Sequence, residues 1–465
     1  MNNKLEQFKT EIKEKRVAVL GIGISNIPLI KYLVNIGVDV TAFDKNTSEN
    51  LNDAISQLDG FPVQYSLGKD YLSKLKGFDI IFRTPGMRPD LPEMVEAVDN
   101  GAELTSEMEI FLKLCPAQVF AVTGSDGKTT TTTLIYKILT EEGYNCWLGG
   151  NIGTPLLSKI DEVKETDKVI LELSSFQLMT IKDCPSVAVI TNISPNHLDV
   201  HKSLNEYVEA KKNIFINQTA KDKLILNYDN DITRGFGSEA KGKYVYFSRI
   251  SDLEDGVILH NGKIVVRTGN KEIEIVDAES IKIPGVHNIE NYMAATAATI
   301  EYVKPETIRK IATTFNGVEH RIELVRELNG VKFYNSSIDS SPSRTIAALS
   351  TFKDKVILIA GGKDKGIPYE PIGQIIAEKV KVLLLIGATA PRIEEAFNNY
   401  IHQTDIESEV KIIHCDTYEE VVNRAYAEAV PGDCIILSPA STSFDMFKNF
   451  EHRGNVFKEL VNNLK

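Results

Sequence analysis

The chain has 465 residues, 43% of them hydrophobic and 25% charged, and carries a formal net charge of -12. That length predicts about three domains, and the acidic balance excludes a protein whose affinity rests on a basic surface, such as a nucleic-acid or acidic-membrane binder. Five scattered cysteines without CxxC spacing read as reduced thiols, the charged start MNNKLEQFKTEIKEKR excludes a signal peptide, and no apolar run reaches the ~18 residues of a membrane span, so the expected location is the cytoplasm.

In chain order, RVAVL, VDVTAF and DIIFRTPG are the first expected strands, QVFAVTG, KVILELSS and SVAVITNIS the next, and KVILIAGG, KVLLLIG and DCIILSPA the last. Short β-branched runs, each followed by a turn and a helical stretch, predict parallel sheets covered by helices. Residues 223–283 have a different texture, with KLILNYD, KYVYFS, GVILHNGKIVVRTG and KEIEIV around Asn-Gly and Gly turns, and predict a small antiparallel appendage. The expected fold is α/β in three domains. A Rossmann-like domain covers 1–110, a central phosphate-loop ATPase-type sheet with the appendage covers 111–318, and a second Rossmann-like domain covers 319–465.

The first strand opens VAVLGIGISNIPLIKYL, with Gly21 and Gly23 at its turn and Asp44 after the second strand, as in a dinucleotide fingerprint. Asn26 stands where the third glycine would be, which disfavours close packing of a helix onto NAD. In the middle of the chain VTGSDGKTTTT follows a strand and leads into a helix. Backbone N–H groups at such a helix start face phosphate oxygens, Lys128 adds a positive charge, and the Thr129 hydroxyl suits magnesium. The spacing is shorter than GxxxxGK[ST], because Val122 occupies the first glycine's place. Later strands end in polar clusters: Glu172 and Ser174 in LELSSFQL, then Asn192, His197, Asp199 and His201 in VITNISPNHLDVH. Together with the loop threonine these could hold one or two magnesium ions beside a triphosphate.

TGSDGKTT, ELSSFQL, NHLDVH, EYVEAKKNIF, GVHNIEN, EHRIE and SPASTSFDMFKNFEHRG, in this order, resemble the Mur ligases over nearly the whole chain. The likeness is strongest to the members that add D-glutamate to UDP-N-acetylmuramoyl-L-alanine in peptidoglycan synthesis. It implies a cytoplasmic, monomeric enzyme that uses ATP and two Mg2+ ions through an acyl phosphate. By this resemblance Gly124, Ser125, Asp126, Gly127, Lys128, Thr129 and Thr130 bind ATP, with Asn288 and Asn291 near the adenine and Arg321 at the hinge to the third domain. Thr129 and Glu172 would hold one metal ion and His197 the second, with Lys211 carbamylated to support them. The residues themselves show Lys211 only as one of two lysines on an amphipathic helix. Ile24, Ser25, Asp44 and Lys45 match contacts to the UDP part of the substrate, and Pro85-Gly86, Asn151 and Ser174 its cleft. Lys365, Ser443, Phe444 and Phe450 match the D-glutamate pocket, although the phenylalanine spacing also fits a helical core stripe.

Two departures stand out. Where D-glutamate adders carry Asp-Ser-Lys-Ala-Thr, this chain reads YNSSIDSSPSRT, with Ser336, Ile338 and Ser340 in place of the Asp, Lys and Thr. Ser340 keeps a hydroxyl, and Asp339 or Arg344 could restore charge from a shifted position. Asp126 replaces the usual Asn and needs a cation beside it. Three alternatives remain open: a sister Mur or folylpolyglutamate-type ligase, a nucleotide-switched ATPase, and an NAD-dependent oxidoreductase.

Overall fold

The structure is a computed structural model that describes residues 3–23, 25–196, 200–364 and 366–465. The sequence-derived expectations for Ile24, His197, Asp199 and Lys365 fall outside the described residues. The chain forms two compact units, one of residues 1–278 with 289–311, the other of 279–288 with 312–465.

The first unit holds two sheets. In the N-terminal one, β1 (Arg16–Leu20), β2 (Asp39–Asp44), β3 (Val63–Leu67), β4 (Ile80–Phe82) and β5 (Glu103–Thr105) are all parallel, in the order β3-β2-β1-β4-β5. Val17, Ala18, Val19 and Leu20 of β1 are fully buried, as expected for a central strand covered on both faces. The second sheet contains β6 (Gln118–Thr123), β7 (Cys146–Gly150), β8 (Lys168–Glu172), β9 (Val187–Ile190), β10 (Lys223–Asn227), β11 (Lys243–Ser248), β12 (Asp255–His260), β13 (Lys263–Thr268) and β14 (Lys271–Asp277). Its order is β14-β13-β12-β11-β10-β9-β6-β8-β7. Strand β6 therefore lies between β8 and β9, at the point where the connections reverse direction, and the loops leaving these three strands share one end of the sheet.

The expected appendage is smaller than its sequence texture suggested. β10 and β11 run parallel to β9 and extend the main sheet, and only β12, β13 and β14 pair antiparallel. Short apolar runs carry no direction in themselves, and only the Asn261-Gly262 turn between β12 and β13 and the Gly269-Asn270 turn between β13 and β14 mark hairpins.

The second unit has one sheet: β15 (Glu323–Leu328), β16 (Val331–Asn335), β17 (Val356–Ala360), β18 (Val380–Leu385), β19 (Lys411–His414) and β20 (Cys434–Leu437), in the order β15-β16-β20-β17-β18-β19. All pairs are parallel except the β15–β16 hairpin at the edge.

All five cysteines are free; Cys415 is buried and Cys115, Cys146, Cys184 and Cys434 are half-buried. Burial pushes every thiol up, those of Cys115 and Cys184 to about 11. Among the described residues no helix is long and apolar enough to cross a membrane.

Candidate functional site

The turn after β6 is braced from two sides. Ser125 N–H donates to Asn192 O (2.9 Å), Asp126 N–H donates to Asn192 Oδ1 (2.9 Å), and the Thr191 hydroxyl donates to Asp126 O (2.6 Å). The Ser125 hydroxyl meets Ser194 O and the Tyr207 hydroxyl, each at 2.9 Å. Two glycines are obligatory here. Gly124 has φ 150°, and a Cβ on it would lie 1.9 Å from Thr191 Oγ1; Gly127 has φ 77°, and a Cβ would lie 2.3 Å from Asn291 Oδ1. Gly127 caps the helix Lys128–Glu142 without any side-chain hydrogen bond, and a helix start of this kind, at the C-terminal end of β6, suits an anion. Lys128 curls back and donates to Gly124 O and Ser125 O, both at 2.9 Å. Asn291 is buried and accepts from the Thr131 hydroxyl at 3.2 Å.

Lys211 sits against this turn. It is 1% exposed, and its ammonium donates to Gly124 O (2.8 Å) and Thr123 Oγ1 (3.2 Å), 4.7 Å above the Tyr207 ring centre. Burial first, and the neighbouring Lys128 charge second, hold its amine well below the ordinary lysine range, against the opposing pull of Asp126 and Glu172. Glu172, at the end of β8, is also 1% exposed. Its Oε1 accepts from Asn151 Nδ2 at 2.7 Å, whereas Oε2 is buried without a hydrogen-bond partner. An oxygen so placed fits a bound cation, because a buried carboxylate otherwise loses its solvation uncompensated. Ser174 serves as a helix cap: it accepts from Gln177 N–H (3.2 Å), and the Gln177 side chain returns to the Ser174 N–H (2.9 Å). His201, grouped with these residues on sequence, is instead packed in the interior, bonded to the Ser175 hydroxyl at 2.9 Å and stacked on Phe176 at 5.3 Å.

The turn after β1 is closed by Asn26 from the helix it enters and by Asp44 from the end of β2. Asn26 Nδ2 donates to Leu20 O and Gly21 O, each at 2.9 Å, while Asp44 Oδ2 accepts the Ile22 N–H at 2.9 Å. The other Asp44 oxygen accepts the Asn46 N–H. Ser25, Lys45 and Gly86 are exposed around this end of the sheet.

In the second unit the loops after β17 and β20 pair with each other: Lys363 N–H donates to Thr442 O (2.8 Å) and Thr442 N–H donates to Lys363 O (3.2 Å). Ser443 is buried and Phe444 is 62% exposed. Phe450 starts the helix Phe450–Asn463 and meets the His320 ring edge-on at 6.0 Å. Of the phenylalanine triplet, Phe447 is the one that packs, half-buried, against the hydrophobic core, 4.8 Å from the Tyr418 ring. The unusual segment is folded inward. Ser336 and Ser337 are fully buried, and Asp339 accepts from Ser438 Oγ at 2.8 Å. Burial pushes the Asp339 carboxyl up to about 6, opposed by its serine hydrogen bonds and by Arg321 and Arg344. Arg344 itself is exposed and donates to Ile338 O at 3.0 Å. Asn288 is buried, its amide donating to Pro284 O.

Sequence reasoning passed over Thr191, Tyr207 and the bond from Asn151 to Glu172. Tyr207 lies one helical turn before Lys211, a spacing that puts both on one face and could have signalled the pair.

The arrangement is that of a phosphate-loop α/β protein with a second, buried lysine beside the loop. Sequence models of the Mur ligase MurD-like N-terminal domain, the Mur ligase middle domain and the Mur ligase glutamate ligase domain match residues 15–106, 122–299 and 320–441. The chain is 79% identical over 465 residues, the full length of both chains, to the UDP-N-acetylmuramoylalanine--D-glutamate ligase of Ruminiclostridium cellulolyticum. It is 63% identical over 465 residues, again the full length of both, to the ligase of the same name from Acetivibrio thermocellus. Among solved structures, UDP-N-acetylmuramate-alanine ligase MurC from Thermotoga maritima aligns with TM-score 0.57 at 18% identity, covering 97% of this chain and 100% of that one, and shares the fold. The chain belongs to the Mur ligase family.

Proposed function

We propose that this chain is an ATP-dependent ligase that joins D-glutamate to UDP-N-acetylmuramoyl-L-alanine in cytoplasmic peptidoglycan precursor synthesis, acting as a monomer. The full-length relatives bear that name. The observation that carries the reading is Lys211: a second lysine, buried against the phosphate-loop carbonyl of Gly124 with its amine biased toward neutrality. A neutral Nζ can add to carbon dioxide, forming an N–C bond and releasing one proton, and the resulting carboxylate would make a cation ligand of a lysine. Simple ATP hydrolysis gives no role to such a residue.

In the reaction the substrate carboxylate attacks the γ-phosphorus of ATP and ADP leaves. The amine of D-glutamate then attacks the acyl phosphate carbon, and the tetrahedral intermediate collapses to an amide and inorganic phosphate. Lys128 turns from its loop carbonyls to the β- and γ-phosphates, joined by the amides of the Gly124–Thr130 turn; this is positioning and charge neutralisation. Thr129 and the free oxygen of Glu172 are suited to one magnesium ion, and Lys211 as carbamate with His197 to a second; magnesium, when bound, offsets phosphate charge and that of Asp126. Asn151 keeps Glu172 oriented while facing the UDP-substrate with Ser25, Lys45, Gly86 and Ser174. Asn288, Asn291 and Arg321 attend the nucleoside, and Lys365, Ser443, Phe444 and Phe450 attend D-glutamate.

The test is phosphate release with ATP, magnesium and UDP-N-acetylmuramoyl-L-alanine, comparing D-glutamate, L-glutamate, L-lysine and no amino acid. Release only with D-glutamate, with a matching amide by mass, is expected. Release with another amine would mean the Ser336–Ser340 segment has redirected the enzyme, and release with none would favour a nucleotide switch. Lys211→Ala should lose activity that short carboxylic acids partly restore; absence of rescue would remove the support for a carbamate.

A further inference from the structure

The loop after β4 reads Arg83-Thr-Pro-Gly-Met-Arg88, with an arginine at each end that reaches out of the N-terminal sheet. Arg83 is 2% exposed and donates to Pro85 O and Met87 O within the loop, then to Phe176 O and the Thr180 hydroxyl, both at 3.0 Å, just beyond Glu172 and its helix cap. Arg88 lays a two-pronged fork on Glu206, with bonds of 2.7 and 3.0 Å to the two carboxylate oxygens, and gives a third bond of 2.8 Å to Val200 O. Asp90 steadies the same guanidinium at 2.8 and 3.1 Å and pairs with Lys202.

Glu206 lies in the first turn of the helix Leu204–Lys212, where it also accepts the Lys202 N–H at 2.7 Å. Arg88 holds its carboxyl down to about 2, so the pair stays charged at neutral pH. One residue further along, Tyr207 meets the Ser125 hydroxyl at 2.9 Å, and Lys211 meets Gly124 O at 2.8 Å. The helix is therefore gripped at its start by the N-terminal loop and along its inner face by the phosphate loop. At ~1.5 Å per residue a helix this short behaves as a stiff rod, so moving its first turn moves Lys211.

We infer that Arg88 and Glu206 form a positioning pair that ties the Pro85-Gly86 loop of the N-terminal sheet to the phosphate loop through the helix Leu204–Lys212. This rests on the ligase reading, in which that loop faces the UDP-substrate, and it supplies the means by which seating the substrate sets the helix of Lys211. A lone exposed pair contributes little to global stability. A forked arginine with three further hydrogen bonds, two to Asp90 and one to Val200 O, acts on position instead.

The test uses the full chain, with Arg88→Met, Glu206→Gln and the double variant, and Lys381→Met as a control that breaks the pair with Asp433 elsewhere. Each single variant is expected to lower kcat about tenfold, the double variant no further, with the KM for D-glutamate within twofold and Tm within about 2 °C. Hydrogen exchange, which needs no turnover, is expected to quicken several-fold in Arg88→Met at both 204–212 and 124–128. Exchange that quickens only near residues 200–206, or single losses that multiply in the double variant, would overturn the inference. If wild type releases no phosphate with D-glutamate, the ligase reading fails, and the exchange result still decides whether the tie exists.

Discussion

The turns after β1 and after β6 share one local plan, a buried strand running through a glycine turn into a helix, yet they are finished differently. In the first, two side chains do the work, Asn26 from the helix that follows and Asp44 from the end of the neighbouring β2, and Gly23 has open space where a side chain would go. In the second, more elements converge: Thr191 and Asn192 follow β9, Tyr207 and Asn291 come from two helices, and Gly124 and Gly127 have no room for a Cβ. A turn whose backbone N–H is taken by a carboxylate such as Asp44 presents a shaped surface, whereas a turn braced through its carbonyls and hydroxyls leaves its helix-start amides for a ligand. Similar motifs therefore need not mean similar ligands; what decides is which groups complete the turn.

The largest expected effect that tests this contrast is Lys128→Ala, which removes the one positive charge of the second turn's own residues 124–130. Phosphate release should fall on the order of 10³-fold, with circular dichroism unchanged; retained turnover would undo the assignment of that turn. Gly124→Ala comes next. The combination of φ 150° and a contact of 1.9 Å with Thr191 should cost roughly 2–4 kcal/mol in denaturant unfolding and abolish nucleotide binding. Asn26→Gly would restore the missing glycine of the first turn while deleting one buried and one part-buried hydrogen bond. A loss of about 1–2 kcal/mol is expected by urea titration, without any change in NADH fluorescence on mixing; a clear change would mean that Asn26 alone separates this turn from a dinucleotide site. Smallest of all, Gly23→Ala should shift stability by no more than about 0.5 kcal/mol, and a penalty approaching that of Gly124→Ala would erase the distinction between the turns.

Much of the central site was legible because its residues are local in sequence. The strand, the glycines and Lys128 lie within one short stretch, and Glu172 and Asn192 follow strands that flank β6. Lys211 was not legible from its surroundings. Lys212 beside it is only half-buried and is paired with Glu209 and Glu239, and only the packing of the helix against Tyr207 and Gly124 separates the two. Strand direction over 223–248 was equally hidden, since apolar alternation reports burial and not polarity of pairing. The segment Ser336–Ser340 announced its departure in sequence, but not that Asp339 would turn inward to Ser438.

The five thiols have a practical consequence. Burial keeps each of them protonated at neutral pH, and the thiolate is the species that electrophiles attack. Alkylating reagents should therefore label the native chain slowly and its opened forms quickly, so that the five sulfurs become internal clocks for local opening at five different places in the fold.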